Sequence, residues 1–529
     1  MSLAPLPIAE SLEFGSHLLH SGLVSWRQLK TAIEQLQQRP FLHLGEMLCL
    51  MGMLDEDTVA RSLDAYNRAP HLGHLLMARG SLSLDQLVEA LTIQAHGHAP
   101  LGEILVTQGF LEPEELRMAL EEQQAAPASG DVFAKVSECP QIEHFLEARR
   151  QGDYPFFTPL EASESPRTRV DGKSVILLAS NSYLGLSDDP EVKEAAIAAI
   201  RQYGVGTSGS PMLNGTMDLH VDLERALADF MGFEACALFS TGFQTNIGLL
   251  SALAGRSDVV LVDSLAHASL HDGARLSYAQ VKRFRHNDLD HLEAQLKEAG
   301  PRGKLIVVDG VYSMDGDLAD LPGIARLAKL HGARILLDDA HGFGVLGRHG
   351  RGTAEYFGLL AEVDVIMLTF SKSLGCIGGC VLAAHPVIDY LKHRSRPFIF
   401  SATMPPGTAA AAHAALRRIQ TDPSLRLRLE SNVKYMRRKL FELGFDLGET
   451  PSHILPVRIG PEATTVRVGR ELLDEGVLVG TVVSPGVPLG QARLRLSLMA
   501  SHSLSELTLA LEALERVAAR HGLIPAPRS

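Results

Sequence analysis

Cysteine is scarce in this chain, with five residues among 529, at Cys49, Cys139, Cys236, Cys376 and Cys380. Their odd number and loose spacing argue against a disulfide framework and favour reduced thiols, as in a cytosol. Cys376 and Cys380 have no companion Cys or His pair at the spacing of a zinc site. We therefore predict no bound metal and interpret both as packing residues.

Long apolar runs, a leader segment and an excess of basic charge are lacking as well. No uninterrupted apolar run reaches the ~18 residues of a membrane span, and the first residues, "MSLAPLPIAESLEFG", do not resemble a signal peptide. The 49 Lys and Arg residues are outnumbered by 62 Asp and Glu and form no runs, which argues against nucleic-acid binding. The overall charge is still compatible with a local basic pocket that binds a phosphate. We expect a cytoplasmic protein, with peripheral contact to the inner membrane left open.

Length and composition indicate a globular protein of two or three domains, because 529 residues exceed one ordinary core and 46% of them are hydrophobic. We predict a helical repeat domain over 1–122 and a linker over 123–140, which includes the small, polar stretch "QQAAPASGD". A large domain with an N-terminal arm is predicted over 141–410 and a small α+β domain over 411–529.

The region before the linker carries four similar segments, "FGSHLLHSGLVS", "LGEMLCLMGMLD", "LGHLLMARGSLS" and "LGEILVTQGFLE". A period of roughly 30 residues, with a short helix, a glycine turn and a second helix, predicts small units that share a core. The segments resemble the N-terminal repeats of type II secretion and pilus ATPases, some of which bind cyclic di-GMP through an arginine before the "LG". Glu13, His43, His71 and Pro100 stand at that place here. A protein-docking or regulatory module is therefore favoured over a cyclic-dinucleotide site, with a plain helical scaffold as the simplest alternative.

From about Gln141 onward, short apolar runs alternate with longer helical patterns. The runs are "VILLAS", "ACALFS", "VVLVDS", "KLIVVDG", "RILLDDA" and "VDVIMLTF". This alternation predicts βα units and a mostly parallel sheet that is buried on both faces. Ligands bind such sheets at the carboxyl ends of the strands, and several of those ends carry chemically useful residues here.

Two of the strand ends give signals that are weak when taken singly. "LFSTGFQTN" leaves a strand through Ser240, Thr241 and Gly242 and enters a helix, whose free backbone N–H groups would suit a phosphate. His267 follows the next strand in "DSLAHASLHDG". Turns of this kind are common, and a lone histidine is more often structural than functional.

Two further strand ends are more specific. In "LLDDAHGFGVLG" an acidic pair ends a buried strand, where Asp338 would need a cationic partner, and His341 lies three residues beyond it. Lys372 of "VDVIMLTFSKSLGCIGG" again follows a buried strand. A lysine, a strand-end aspartate, two histidines and a phosphate turn are together what pyridoxal 5′-phosphate (PLP) requires. The lysine bonds the cofactor covalently, and the aspartate keeps the ring nitrogen protonated so that the ring accepts electrons.

The chain from near Gln141 to its C-terminal helix resembles the α-oxoamine synthases, which are fold-type I PLP enzymes. The motifs that agree in order and spacing are "SNSYLGL", "LNGTMDLH", "STGFQTN", "AHAS", "VYSMDGD", "DDAHGFGVLG", "TFSKSLG" and "GQARLRLS". The resemblance implies an α/β fold-type I transferase with a mostly parallel central sheet and a smaller α+β C-terminal domain. It also implies a homodimer whose active site lies between two subunits.

The resemblance further implies a role for each motif residue. Lys372 is the cofactor lysine, Asp338 pairs with the ring nitrogen and His267 stacks over the ring, while His341 and Ser313 bond its phenolic oxygen. These four, Lys372, Asp338, His267 and His341, are the implied catalytic residues. The residues implied to hold the phosphate are Gly242, Phe243 and Thr369, with Ser401 or Thr403 reaching the partner's phosphate. The residues implied to bind substrate are Arg495, which grips its carboxylate, Asn181 and Tyr183.

The implied reaction joins an amino acid to an acyl-CoA. The amino acid displaces Lys372, the freed amine removes the α-proton, and the resulting carbanion attacks the thioester so that coenzyme A leaves. Carbon dioxide leaves where the route requires it. Lys372 can act as a base only if its pKa is lowered, which burial would do.

Four substrate pairs compete: serine with a long acyl-CoA, glycine with acetyl-CoA, alanine with a pimeloyl thioester, and glycine with succinyl-CoA. Val483 to Gly486 replace an Arg-Pro-Pro-Thr run that is usual in the amino-oxononanoate synthases, and "RHNDLDHLE" is similar to bacterial serine palmitoyltransferase-like proteins. Serine with palmitoyl-CoA is therefore favoured. Pro211, where many relatives have an arginine near the acyl entrance, keeps glycine with acetyl-CoA as the runner-up. A protein of another class, signalling or docking through its repeats, is the remaining alternative.

Overall fold

The computed structural model describes residues 101–125, 133, 140–448, 450–484, 486–488 and 490–524, with scattered positions among residues 1–100. The chain forms two compact units, Met1–Arg150 and Gln151–Ser529. The described helices of the first unit are α1 (Leu101–Thr107), α2 (Pro113–Ala125) and α3 (Pro140–Gln151), the last of which ends one residue beyond the unit.

The second unit contains thirteen described strands: β1 (Ser163–Glu164), β2 (Arg167–Val170), β3 (Lys173–Leu178), β4 (Ala235–Phe239), β5 (Asp258–Asp263), β6 (Gln280–Phe284), β7 (Gly303–Asp309), β8 (Arg334–Asp338), β9 (Val365–Thr369), β10 (Gly379–Ala383), β11 (Ile454–Gly460), β12 (Val477–Val482) and β13 (Ala492–Ser497). Its described α-helices are α4 (Pro190–Tyr203), α5 (Asp218–Met231), α6 (Gly242–Leu253), α7 (Ala268–Leu276), α8 (Leu289–Ala299), α9 (Leu321–His331), α10 (Thr353–Tyr356), α11 (His385–Arg394), α12 (Arg396–Ile399), α13 (Pro406–Thr421), α14 (Ser424–Glu442), α15 (Glu462–Asp474) and α16 (Leu504–Arg520).

A seven-stranded sheet forms the centre of this unit, in the order β4-β10-β9-β8-β7-β5-β6. Neighbouring strands from β6 to β9 pair in parallel, whereas β10 is antiparallel to both β9 and β4. The predicted mostly parallel sheet is therefore confirmed.

The strands of the central sheet are apolar along most of their length because both faces of the sheet are covered. Side chains alternate across the sheet, so Ile306 and Leu337 pack into one buried cluster while their neighbours Val307 and Leu336 pack into another. All four are fully buried. Polar side chains meet at the carboxyl ends of the strands, and this arrangement positions the site.

A second sheet has six strands, in the order β1-β2-β3-β12-β13-β11. The run "VILLAS" forms most of β3, which pairs antiparallel with β2 and parallel with β12. Its predicted place in the central sheet was therefore wrong, because an apolar run does not specify its partner strand. Helices α14 and α15 pack on α16, and α15 also packs on β12, which gives this part an α+β architecture.

The last of the four repeats has the predicted helix–turn–helix structure. Helix α1 is followed by a turn at Gly109, whose φ of +69° favours glycine, and then by α2. Gly102 lies against Leu116, where a Cβ would come within 2.6 Å of a side-chain methyl, so the glycine allows the two helices to approach closely.

The predicted domain limits stay predictions. Helix α2 extends to Ala125, and α13 runs across the predicted boundary at 410/411. Most of the predicted linker and most of the first three repeats lie outside the described residues. In the part of the chain that the structure describes, no helix is long and apolar enough to cross a membrane.

Candidate active site

Chemically active side chains collect at the carboxyl ends of five strands of the central sheet, β4, β5, β7, β8 and β9. They line one cavity, as expected for an open α/β sheet. The predicted cofactor residues that line it are Gly242, Phe243, His267, Asp338, His341, Thr369 and Lys372. The tertiary structure thus brings together seven of the eight residues that the sequence analysis assigned to the cofactor.

The turn after β4 is suited to a phosphate. Helix α6 begins at Gly242 and is capped by the Thr241 hydroxyl, which accepts the N–H of Gln244 at 3.1 Å. The first N–H groups of a helix have no carbonyl one turn before them and are available to an anion. A Cβ on Gly242 would lie 2.5 Å from the Thr369 hydroxyl oxygen, so only glycine lets the start of α6 pack this closely against Thr369 at the end of β9.

Asp338 is held by neutral donors. One carboxylate oxygen accepts the N–H of Ala340 at 3.0 Å and the other accepts the side-chain amide of Asn246 at 2.6 Å. Asn246 lies one turn after Gly242 on α6, and its amide also donates to the Ser269 hydroxyl at 2.9 Å. The carboxylate is 5% exposed and forms no salt bridge within the described residues. A buried carboxylate with only neutral donors is suited to receive a cationic N–H group.

Asp309 lies beside Asp338, because the two residues are paired in register at the ends of β7 and β8. Burial, and then the charge of Asp338, raise the pKa of Asp309 well above its usual range. Both effects favour the protonated, neutral form of Asp309. Its side chain accepts the backbone N–H of His267 at 3.2 Å and so fixes the turn after β5.

His267 caps the N-terminus of α7, where its Nδ1 accepts the N–H of Ser269 at 3.3 Å and lies 2.7 Å from the Ser269 hydroxyl. Burial lowers the pKa of His267, an effect that the charge of Asp338 opposes and that of Lys372 reinforces. The ring meets the Phe243 ring edge-on, with the centroids 6.2 Å apart. These contacts hold the imidazole at the cavity, and its stacking on the cofactor stays a prediction.

Lys372 follows β9 and begins a chain of hydrogen bonds. Its Nζ lies 2.8 Å from Nε2 of His341, and Nδ1 of His341 lies 2.6 Å from the Tyr183 hydroxyl. Burial lowers the pKa of Lys372 from 10.5 to about 8, with Asp338 opposing the shift and Arg495 adding to it. Burial and the charge of Lys372 lower the pKa of His341 well below its usual range. His341 is therefore a neutral acceptor for the hydrogen bond from the amine.

Arg495 on β13 extends the same chain. Its guanidinium donates to the Tyr183 hydroxyl at 3.2 Å, to the Asn181 side chain at 2.9 Å and to the Ser313 carbonyl at 2.5 Å. The Tyr183 hydroxyl in turn donates to Asn181 at 3.0 Å. Arg495 is 8% exposed, and no carboxylate of the described residues forms an ion pair with it. All three predicted substrate-binding residues therefore meet at one buried cation.

Some of the predicted residues have other neighbours. Ser313 is not among the residues that line the cavity and contributes its carbonyl to Arg495, so its bond to the cofactor stays a prediction. The Thr403 hydroxyl bonds the Gly209 carbonyl at 3.3 Å. The contact of Ser401 or Thr403 with a partner's phosphate stays a prediction.

The sequence analysis missed four residues of the site. Asn246 and Ser269 lie inside the quoted motifs "STGFQTN" and "AHAS", and the spacing of Asn246 from Gly242, one helical turn, could have identified it. Asp309 ends its strand as Asp338 does. His453 had no sequence signal: it is 3% exposed, its ring meets Tyr183 edge-on at 4.1 Å, and neither ring nitrogen has a hydrogen-bond partner among the described residues.

The residues fit PLP on three structural observations. The first N–H groups of α6 at Gly242 border the cavity and are available to an anion, Asp338 lacks a cationic partner among the described residues, and the Lys372 amine is held at a lowered pKa beside the cavity. Each corresponds to one part of the cofactor: the phosphate, the ring nitrogen and the aldehyde carbon.

Comparison with known proteins gives the family. Residues 173–514 match the model of aminotransferase class I and II. The chain belongs to this family. It is 45% identical to the serine palmitoyltransferase of Sphingobacterium spiritivorum over 387 residues, which cover 72% of this chain and 96% of that protein. It is 42% identical to the 8-amino-7-oxononanoate synthase of Thermoanaerobacter pseudethanolicus over 384 residues, which cover 72% of this chain and 97% of that protein.

A solved structure supports the same conclusion. The serine palmitoyltransferase from S. paucimobilis, with bound PLP-myriocin aldimine, superposes with a TM-score of 0.72 at 36% identity and covers 74% of this chain and 100% of its own. The protein is therefore a PLP-dependent acyltransferase of the α-oxoamine synthase family, with the fold-type I architecture and the cofactor that the sequence predicted.

Proposed function

We propose that the protein condenses L-serine with palmitoyl-CoA to give 3-ketodihydrosphinganine, carbon dioxide and coenzyme A. The similarity to serine palmitoyltransferases supports this substrate pair, and 8-amino-7-oxononanoate synthases are nearly as similar. The replacement of their usual Arg-Pro-Pro-Thr run between Val483 and Gly486 favours serine over alanine.

The observation that carries the proposal is the buried guanidinium of Arg495. A buried cation without a carboxylate partner is unfavourable in the free protein, so an incoming carboxylate is strongly favoured there. Tyr183, Asn181 and the Ser313 carbonyl hold the guanidinium in one orientation, which suits two-point recognition of the carboxylate of an amino acid.

The hydrogen bonds assign a proton to each atom of the network. The Lys372 amine donates to Nε2 of His341, so neutral His341 carries its proton on Nδ1 and donates to the Tyr183 oxygen. The Tyr183 hydroxyl then donates its own hydrogen bond to the Asn181 side-chain oxygen. When bound, PLP supplies an acceptor for the electron pair left on the substrate's Cα. Lys372 Nζ takes the Cα proton, which its pKa of about 8 allows near neutral pH.

The test is a comparison of acyl donors and amino acids. Release of the coenzyme A thiol is measured with L-serine, glycine and L-alanine, each with palmitoyl-CoA, acetyl-CoA, succinyl-CoA and pimeloyl-CoA. We expect the highest kcat/KM for serine with palmitoyl-CoA and no thiol release by Lys372→Ala. A preference for alanine with pimeloyl-CoA or glycine with acetyl-CoA would contradict the substrate assignment while leaving the family assignment intact.

The Arg495→Lys variant tests the carboxylate site. A lysine cannot reproduce the fork of hydrogen bonds to Asn181, Tyr183 and Ser313, so about 2 kcal/mol of binding energy, roughly thirtyfold in KM for the amino acid, should be lost. The KM for the acyl-CoA should change little. Equal increases in both KM values would show that Arg495 does not act on the amino acid.

We also propose that the enzyme is a homodimer. Phe400, next to Ser401, is 76% exposed in the single chain, and Leu213 is 82% exposed. A second subunit would cover such apolar side chains and bring Ser401 or Thr403 to a neighbouring phosphate. Light scattering of the full chain measures this directly, and a monomer with full activity would contradict it. Docking of another protein through the N-terminal repeats and a cytoplasmic location remain predictions.

A further inference from the structure

His286 lies just beyond the end of β6 and outside the cavity, in the motif "RHNDLDHLE". Its Nδ1 is 3.0 Å from a carboxylate oxygen of Asp263, and its Nε2 is 2.6 Å from a carboxylate oxygen of Asp317. Both ring nitrogens therefore donate to carboxylates, which requires the protonated ring. Burial alone would lower the pKa of His286, but the hydrogen bonds and charges of the two aspartates outweigh it and raise the pKa to about 10.

The two aspartates belong to different walls of the active site. Asp263 ends β5 and accepts the N–H of Leu265 at 2.8 Å, in the turn that leads to His267. Asp317 lies in the hairpin that follows β7, where its carbonyl accepts the N–H of Tyr312 at 2.9 Å. Ser313, whose carbonyl holds Arg495, lies in the same hairpin. The imidazolium thus connects the segment of the stacking histidine to the segment that orients the guanidinium.

Neighbouring contacts make the same connection. The backbone N–H of Asn287 donates to Asp263 at 3.2 Å, and its side-chain amide donates to the Leu318 carbonyl of the hairpin at 2.9 Å. The Tyr312 ring meets the His286 ring edge-on, with the centroids 4.4 Å apart. Asp263 is fully buried, and the imidazolium adds to the backbone N–H groups of Leu265 and Asn287 that compensate its charge.

We propose that His286 is a positioning residue: its imidazolium, held between Asp263 and Asp317, fixes the spacing between the His267 turn and the Ser313 hairpin. This spacing determines the position of the His267 ring, which stacks on the cofactor, and the orientation of the Arg495 guanidinium, which binds the substrate carboxylate. The effect on the substrate carboxylate rests on the proposed function. The effect on the cofactor rests on the family's cofactor alone.

The decisive property is charge. Without a cation between them, Asp263 and Asp317 would repel each other across the space that the imidazole fills, and the two walls would separate. A glutamine is neutral and carries both of its N–H donors on one nitrogen, so it cannot compensate two charges. Removing one carboxylate at the same time should relieve the repulsion, so a double variant should recover what the single variant loses.

The experiment compares His286→Gln with His286→Gln/Asp317→Asn in the full chain. Two quantities are measured: the Kd of PLP for the cofactor-free protein, by absorbance titration, and the L-serine concentration that gives half of the spectral change of the PLP-loaded protein. We expect His286→Gln to raise both by about tenfold, with kcat at saturation less affected, and the double variant to return both to within about threefold of the unaltered protein.

Two controls keep the result interpretable. His521, which pairs with Glu471 at 2.8 Å in the C-terminal region, is a second partly buried histidine bonded to a carboxylate, and His521→Gln should leave both quantities unchanged. If His286→Gln does not fold, Asp317→Asn is used alone, because it keeps the cation next to Asp263. This variant should raise the L-serine concentration for half of the spectral change by a larger factor than the Kd of PLP.

Losses in the double variant equal to or greater than those in His286→Gln would overturn the inference. So would a lowered melting temperature with both binding quantities unchanged. The Kd of PLP involves neither amino acid nor acyl donor, so an error in the proposed substrates would leave this measurement valid.

Discussion

The amine that the reaction requires should destabilise the free protein. Lys372 has a pKa of about 8, against 10.5 for an ordinary lysine, chiefly because burial disfavours its charge. At pH 7 the amine is protonated in both the folded and the unfolded chain, so the folded state bears the full unfavourable free energy. Replacing Lys372 with methionine, which has a similar length and no charge, should therefore stabilise the cofactor-free protein.

The magnitude follows from the difference of about 2.5 between the two pKa values, which corresponds to about 3 kcal/mol at 1.36 kcal/mol for each pKa unit. This is an upper bound, because the side chain is only partly buried. The variant also loses the 2.8 Å hydrogen bond to His341, which offsets about 1 kcal/mol. The net gain in the free energy of unfolding should be about 1–2 kcal/mol at pH 7.

The sign of the pH dependence is fixed by the lowered pKa. Between pH 8 and 10.5 the unfolded chain holds the lysine proton more tightly than the folded chain, so the stability of the unaltered protein rises in this window relative to that of the variant. Above about pH 10.5 the amine is neutral in both states and the charge effect vanishes. Lys372→Met should therefore lose its advantage as the pH increases from 8 to 10.5.

The assay is urea unfolding of the cofactor-free proteins, followed by far-ultraviolet circular dichroism at pH 7 and pH 10. Circular dichroism is chosen over tryptophan fluorescence because the single tryptophan, Trp26, belongs in sequence to the N-terminal repeats and not to the catalytic part of the chain. Other groups that titrate cancel in the difference between the two proteins.

Lys392→Met is the matched control. This lysine is paired with the partly buried carboxylate of Glu224 at 2.6 Å, and its loss should destabilise the protein by leaving that carboxylate unpaired. The reasoning would be refuted if Lys372→Met were less stable than the unaltered protein at pH 7. It would also be refuted if the gain in the free energy of unfolding were the same at pH 7 and pH 10.

Three further predictions concern the cofactor site and its support. Gly242→Ala should raise the Kd of PLP by more than about tenfold, since its Cβ would lie 2.5 Å from a threonine hydroxyl, whereas Gly255→Ala, where the nearest atom is 3.8 Å away, should not. Asn246→Leu removes the amide that holds Asp338 at 2.6 Å and should weaken PLP by about 1–3 kcal/mol in the same absorbance titration, with a smaller change in melting temperature. The raised pKa of His286 stabilises the fold fully below about pH 6.5, and this stabilisation, at most about 5 kcal/mol, should be lost between pH 6.5 and 10. The difference in melting temperature from His286→Gln should shrink over that range, and a constant difference would contradict the charged state of the ring.

The strands of the central sheet and the residues at their ends were predictable because their signals are local. β7, β8 and β9 are apolar runs that end in Asp309, Asp338 and Thr369, and parallel strands bring their carboxyl ends to one edge. The lysine, aspartate, histidine and glycine-turn motifs therefore lie at the same edge, and the strand order brings them to one cavity. The sequence by itself determined the cofactor and the family and predicted the catalytic set.

Only the tertiary structure decided which residues support that set. β3 pairs with β12, nearly 300 residues later in the chain, and β13 brings Arg495 to Tyr183 and Asn181. Asn246, His453 and His286 act through neighbours that are distant in sequence. No local pattern encodes such contacts, because a side chain's partners depend on how whole elements pack against one another, and it is this packing that fixes charge, burial and pKa at the site.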